Sequence, residues 1–82
     1  MKISQAVSNR INDILKIRDM SIYQLEVITG ISHSTMSCLM LNRYESVNLK
    51  TILLIIQSLN ITILDFFDCI YFRDLDKIII NQ

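Results

Sequence analysis

One short pattern occurs four times between Met20 and Phe66 and limits the chain to a set of short helices. In each copy a hydrophobic residue precedes a Ser, Thr or Asn, and a second hydrophobic residue follows four positions after the polar one. This is the pattern of a helix N-cap with a hydrophobic staple, in which the polar side chain accepts a hydrogen bond from a backbone N–H. The four copies are Met20-Ser21 with Leu25, Ile31-Ser32 with Met36, Val47-Asn48 with Ile52, and Ile61-Thr62 with Phe66. Four helix starts so close together predict short helices joined by tight turns.

The composition favours one compact helical domain. Of the 82 residues 51% are hydrophobic, and the chain has no Pro and a single Gly. Disordered chains are less apolar, and all-β domains need more turn residues. We therefore predict an all-α domain over residues 1–68, followed by a short apolar C-terminal extension over residues 69–82 that is a possible dimerisation element.

The apolar periodicity predicts five helices and their inward faces. The first starts near Ser4, the second runs from Ile22 to about Thr29, the third from His33 to about Leu41, and the fifth from Ile63 to Asp68. Val7, Ile11, Ile14 and Leu15 mark the inward face of the first helix, and Leu49, Ile52, Leu53, Ile56 and Leu59 that of the fourth. Gly30 and Asn42 are predicted to take left-handed conformations at helix ends.

The C-terminal extension has two alternative interpretations. Its apolar residues Ile70, Phe72 and Ile78 to Ile80 fit either a sixth helix or a strand that pairs with a second subunit. Leu54 and Ile55 leave the fourth helix apolar on most sides, and such a helix is covered on most sides. Either the extension or a second subunit covers it, and we favour a homodimer.

Charge, cysteines and hydropathy suggest the environment of the chain. No apolar run approaches the roughly 18 residues of a membrane span, and no export signal is recognised. Cys38 and Cys69 have no CxxC spacing and are predicted to be free thiols in the cytoplasm. Eight basic and eight acidic residues cancel, although the chain through Leu59 is net positive and the remainder net negative. The basic residues of the first helix are interpreted as solvated charges.

The second and third helices, with Gly30-Ile31-Ser32 between them, have the spacing of a helix-turn-helix unit. Such a unit places its second helix in the DNA major groove and its first across the backbone. The residues predicted to fill the crevice between the helices are Leu25, Ile28, Ile31, Met36 and Leu39. The outward side chains of the third helix include His33, Ser34, Ser37 and Cys38, which are small or can donate and accept hydrogen bonds.

The stretch Ser21-IYQLEVITGIS-HSTMSCL resembles the phage repressor/Cro or xenobiotic-response-element family, and Ile61-TILDFF resembles its closing segment. The resemblance covers roughly Val7 to Phe67 and implies a five-helix, lambda repressor-type fold that binds duplex DNA. It further implies that His33 and Ser34 read bases and that Ser37 and Cys38 face the groove one turn later. By the same resemblance Ser21, Thr35 and Arg43 contact the DNA backbone.

The chain departs from the family pattern at several positions. Ile22 stands where the family often has a phosphate-contacting Gln, Met40-Leu41 replace a polar pair, Asn42 replaces a Gly, and Glu26 replaces the usual Ala. Fewer phosphate contacts predict weaker DNA binding, because the backbone supplies much of the affinity. The alternative hypothesis is a protein-interaction module, of the antitoxin or inhibitor type, with weak or no DNA binding.

The leading hypothesis is that the protein is a transcriptional regulator, and more specifically a repressor. An enzyme is not expected, since a single His and the lack of a phosphate-cradling Gly loop leave no catalytic set. No cofactor, metal or small-molecule ligand is expected either. His33 and Cys38 lie five positions apart and do not share a helix face, so they do not form a ligand pair.

Overall fold

The computed structural model describes residues 1–43 and 46–78, and every helix and turn in them fits an all-α fold. The helices are α1 (Ile3–Ile17), α2 (Ile22–Thr29), α3 (His33–Met40), α4 (Leu49–Ser58) and α5 (Ile63–Phe67). A single 3-10 turn follows at Leu75–Lys77. The predicted five-helix fold is confirmed, with helix bounds within about two residues of those predicted.

All four predicted helix caps are present. The side chains of the cap residues accept hydrogen bonds from backbone N–H groups in the first turn of α2, α3, α4 and α5: Ser21 from Gln24 at 3.0 Å, Ser32 from Thr35 at 3.2 Å, Asn48 from Lys50 at 2.8 Å and Thr62 from Asp65 at 3.0 Å. At α2 the bond is reciprocal, because the Ser21 backbone N–H donates to Gln24 Oε1 at 2.8 Å. Each cap satisfies a donor that the helix itself leaves unpaired.

Left-handed residues follow four of the helices. Gly30 closes α2 with a φ of 73°, and Asn42 follows α3 with a φ of 56°, as predicted. Asp19 and Asn60 take the same conformation after α1 and α4, with φ of 52° and 58°. Asn and Asp tolerate this region better than other non-Gly residues, which explains how a chain with one Gly makes so many tight turns.

Replacing Gly30 by Ala measures how much free energy the left-handed backbone conformation costs a residue that has a Cβ. A Cβ at Gly30 would meet no atom within 4 Å, so no clash contributes. We expect Gly30→Ala to lower the free energy of unfolding by about 1–2 kcal/mol, measured by urea denaturation. Gly30→Asn serves as the control and should cost less, because Asn tolerates a positive φ. Equal losses for the two variants would show that the conformation is not the cause.

The core lies between the helices, and each of α1 to α5 contributes residues to it. The buried cluster consists of Val7, Ile11, Ile14, Leu15, Leu25, Met36, Leu39, Ile52, Ile55, Ile56, Leu59 and Phe66. It contains the whole predicted inward face of α1. Phe66 is fully buried, and its ring lies edge-on to that of Phe67 at a centroid distance of 5.0 Å.

Two details of the predicted core are wrong. On α4 the buried residues include Ile55, whereas Leu53 is 37% and Leu49 64% exposed. The true face is turned toward Ile55 because α4 packs against both α2 and α5. On α2 the buried position belongs to Thr29, while Ile28 is 48% exposed. Thr29 is accommodated because its hydroxyl donates to the Leu25 carbonyl at 2.7 Å.

Two arginines of α1 bind the ends of other helices instead of being only solvated charges. Arg10 donates to the carbonyl of Phe66 at 2.7 Å and to that of Asp65 at 2.6 Å, and both carbonyls lie at the end of α5. Arg18 donates to the carbonyl of Leu59 at the end of α4. A cation placed there satisfies unpaired carbonyls and interacts favourably with the helix dipole.

The described part of the C-terminal extension lies against the domain. Phe72 contacts Phe67 at a ring centroid distance of 4.9 Å, and Cys69 and Ile78 are buried. The N-terminal amine of Met1 donates to the Lys77 carbonyl at 2.6 Å. The only helical turn among residues 69–78 is Leu75–Lys77, and residues 79–82 of the predicted helix or strand lie outside the described residues.

Tyr71, which lies in this extension, makes the stability of the fold depend on pH in the alkaline range. Its hydroxyl donates to Asp13 Oδ2 at 2.6 Å, and this hydrogen bond, with some desolvation, raises the pKa of Tyr71 above its ordinary value. The stabilisation is therefore complete below about pH 10 and is lost as the pH rises through the raised pKa. We expect the difference in Tm between the wild type and Tyr71→Phe to shrink above that pH. A difference that stays constant between pH 8 and 11 would contradict this.

Candidate nucleic-acid interface

The helices α2 and α3 form a compact unit that leaves one face of α3 outward. Thr29 ends α2, Gly30-Ile31-Ser32 form the turn, and His33 begins α3. Leu25, Met36 and Leu39 are buried between the helices and the core, with Ile31 packed against them. Thr29 reinforces the turn by accepting a hydrogen bond from the Ile31 N–H at 3.2 Å. The orientation of α3 is thus fixed by core packing.

The four residues predicted to contact bases lie on α3 as two neighbouring pairs spaced four positions apart, His33 with Ser37 and Ser34 with Cys38. His33 and Ser34 are exposed in its first turn, and Ser37 and Cys38 follow one turn later with partial exposure. Residues separated by four positions share a helix face, so the two pairs form one continuous surface. Apart from His33 these side chains are small, which lets the helix backbone approach a base edge closely. The Cys38 thiol is free.

The three residues predicted to contact the DNA backbone are all exposed, but two hydroxyls already have partners. Ser21 uses its oxygen to cap α2, and Thr35 Oγ1 accepts from Ser32 Oγ at 2.9 Å. A phosphate at Ser21 would therefore be bound through the unpaired N–H groups of the first turn of α2. Arg43 follows α3 at the surface, and its N–H donates to the Cys38 carbonyl at 3.1 Å.

A polar network, which the sequence did not predict, ties the end of α3 to α1. The Asn42 side chain accepts from Ser8 Oγ at 3.0 Å and donates to Gln5 Oε1 at 2.9 Å. Gln5 in turn donates to Asn9 at 2.8 Å. The partners are more than thirty positions apart, so no local pattern could have indicated them. The network holds the segment that leads from α3 into Arg43.

Glu26 and His33 form the second contact that the sequence did not predict. His33 Nδ1 lies 2.7 Å from Glu26 Oε1, across the turn between α2 and α3. The Glu26 side chain is only 11% exposed, while that of His33 is 86% exposed. The carboxylate thus anchors one edge of the imidazole and leaves the other edge in solvent.

The family comparison agrees with this geometry. Residues 10–71 match the model of the Cro/C1-type HTH DNA-binding domain. The chain belongs to this family. No curated protein and no solved structure gave a match. The matched range spans α2, α3 and all of α4 and α5, so the unit that binds DNA in such domains is included in full.

In this Cro/C1-type domain, two of the eight basic residues bind backbone carbonyls of the protein itself. Arg10 and Arg18 are engaged with backbone carbonyls of α5 and α4. Ile22, in the position where the family often has Gln, is 39% exposed, and Leu41 at the end of α3 is 60% exposed. Asn42, which stands where the family has Gly, adopts the left-handed conformation.

Within residues 1–43 and 46–78, no three His, Cys, Asp or Glu side chains lie close enough together to hold a metal ion. No helix of that part of the chain is long and apolar enough to cross a membrane.

Proposed function

We propose that the protein is a transcriptional regulator, acting as a repressor in the cytoplasm, that reads duplex DNA in the major groove with α3. The observation that carries the proposal is the outward face of α3 in a Cro/C1-type domain. The face offers small polar side chains and one imidazole, with no acidic residue on the helix. Binding of this kind needs no cofactor, small-molecule ligand or catalytic group.

Each side chain has a distinct role in this proposal. His33 and Ser34 read base edges at the start of α3, and Ser37 and Cys38 face the groove one turn later. The first turn of α2 at Ser21, the start of α3 at Thr35 and the guanidinium of Arg43 bind phosphates. Base contacts then provide specificity, and phosphate contacts provide register and salt-dependent affinity.

We further propose that the protein binds DNA as a homodimer through α4 and α5. These helices pack against each other and expose large apolar side chains, with Leu49 64%, Ile63 53% and Leu64 83% exposed. Exposed apolar surface of this kind marks interaction sites, and two-fold symmetry suits paired half-sites. The extension over residues 69–82 is a further candidate dimerisation element.

Substituting Leu64 tests the dimer. We expect Leu64→Glu to shift the protein from dimer to monomer in sedimentation velocity, because a buried unpaired carboxylate opposes association. Ile17→Glu is the matched control, since Ile17 is 81% exposed on α1. A wild-type chain that sediments as a monomer at all concentrations, or equal behaviour of the two variants, would refute this interface.

The experiment that tests DNA binding is a selection from random genomic duplex fragments at two salt concentrations. We expect enrichment of a two-fold-related site, weaker binding at higher salt, a weaker site with one degenerate base position in His33→Ala, and loss of the site in Arg43→Ala. Ser58→Ala on α4 is the control and should behave as wild type. If no sequence is enriched even at low salt, the regulator proposal is refuted and the protein-interaction alternative gains support.

A further inference from the structure

The contact between Glu26 and His33 decides which atom of the histidine can reach DNA. Nδ1 of His33 lies 2.7 Å from Glu26 Oε1, which is hydrogen-bond distance. The carboxylate is largely covered, so the pair is not an exposed contact between two long mobile side chains. His33 is the first residue of α3 and projects from the helix start that is proposed to enter the groove.

The chemistry of the pair fixes the proton on Nδ1. An ionised carboxylate can only accept hydrogen bonds, so the ring nitrogen that faces it is the donor. This holds whether the imidazole is neutral or protonated. When the ring is neutral and Nδ1 carries its proton, Nε2 is a bare acceptor; when the ring is protonated, Nε2 is a donor.

We propose that Glu26 is the specificity-determining partner of His33 and makes the base preference of His33 depend on its protonation. With a neutral ring, Nε2 accepts from an amino group, namely adenine N6 or cytosine N4. With a protonated ring, Nε2 donates instead to an acceptor, namely guanine N7 or O6, thymine O4 or adenine N7, so guanine and thymine are read only by the protonated ring and cytosine only by the neutral one. The inference rests on the proposed DNA binding by α3, and it deepens that function by naming the bases read.

No other charged group in α2 or α3 competes for the imidazole. Apart from Glu26 and His33, the ionisable side chains of these helices are Tyr23 and Cys38. On α1, which packs against α3, Arg10 binds the end of α5 and Asp13 accepts from Tyr71, while Lys16 lies exposed near the C-terminal end of the helix. Arg43 follows α3 at the opposite end from His33.

Nitrogen-15 NMR of the imidazole tests the first step without DNA. The chain has one histidine, so its ring signals need no assignment. At pH 8 we expect Nδ1 to show the shift of a protonated ring nitrogen and Nε2 that of an unprotonated one. In Glu26→Met, which cannot accept the bond, the pattern should reverse to the tautomer that free histidine favours. A wild-type ring protonated at Nε2 at pH 8, or identical spectra for both proteins, would overturn the inference.

Selection of DNA sites at pH 5.5 and pH 8 tests the second step. His33→Ala identifies the base position by making it degenerate. At that position we expect the wild type to change its preference from guanine or thymine to cytosine as the pH rises, by about tenfold, the worth of one hydrogen bond to a charged group. Glu26→Met should prefer guanine or thymine to cytosine at both values, because Nε2 then carries a proton in both states.

The outcomes separate the two proposals. If neither pH enriches any site, DNA binding itself fails, and the NMR result still stands as a statement about the ring. If a site is enriched but its bases are the same at both pH values, the regulator proposal survives and the Glu26 inference is overturned. Glu26→Gln, whose amide oxygen can still accept from Nδ1, should retain the wild-type tautomer and the pH-dependent preference.

Discussion

Phe66→Ala is expected to lower the free energy of unfolding by about 3–5 kcal/mol, the largest effect of any substitution considered for this chain. Phe66 is fully buried, and its ring contacts those of Phe67 and Phe72 at centroid distances of 5.0 and 6.3 Å. The helix α5 that carries it has only five residues, too few to be stable without tertiary packing. Removing the ring leaves a cavity and also frees the extension that packs on it through Phe72.

Urea denaturation followed by far-ultraviolet circular dichroism measures this loss. Ile17→Ala on α1 is the control, because Ile17 is 81% exposed and lies outside the proposed dimer interface, and it should change stability by less than about 0.5 kcal/mol. Phe66→Leu keeps most of the volume and should cost less than the Ala variant, which keeps the comparison measurable if Phe66→Ala does not fold. Equal losses for Phe66→Ala and Ile17→Ala would show that the aromatic cluster does not support the fold.

The helix boundaries could be predicted because their causes are local. A cap such as Ser21 bonds a backbone N–H three residues away, and the left-handed conformation of Gly30 depends on its own lack of a Cβ. Both causes can be recognised in a short stretch of sequence. The same locality explains why Asn42 was predicted correctly as a helix end although the family has Gly there.

The inward face of α4 and the hydrogen-bond partners of side chains in the candidate site could not be predicted in the same way. A helix that is apolar on most sides has no unique inward stripe, so only packing against α2 and α5 decides between Leu53 and Ile55. The bonds from Arg10 to the end of α5 and from Asn42 to α1 join residues far apart in the chain. Residue types and spacing indicated the outward face of α3, but the anchoring of His33 by Glu26 appears only when the turn is folded.

Ser34→Glu is expected to separate folding from DNA binding in the candidate interface. Ser34 is the exposed second residue of α3, whose first turn has no acidic residue. A carboxylate there interacts favourably with the helix dipole and should raise stability slightly, by about 0.3–1 kcal/mol. On a surface that faces phosphates and base edges, the same charge should weaken DNA binding by about a hundredfold, since like charges at an interface cost several kcal/mol.

Two control variants distinguish charge at the interface from other causes. The side chain introduced by Ser34→Gln has nearly the size of Glu but no charge. This variant should therefore lose much less affinity for DNA than Ser34→Glu. Gln57→Glu makes the same change in net charge at an exposed position of α4 and should bind DNA nearly as the wild type does. Affinity is measured by fluorescence anisotropy on the selected site, and stability by thermal denaturation. If Ser34→Glu is stabilised and still binds DNA with full affinity, the first turn of α3 does not face the duplex, and the roles proposed for His33 and Ser34 are wrong.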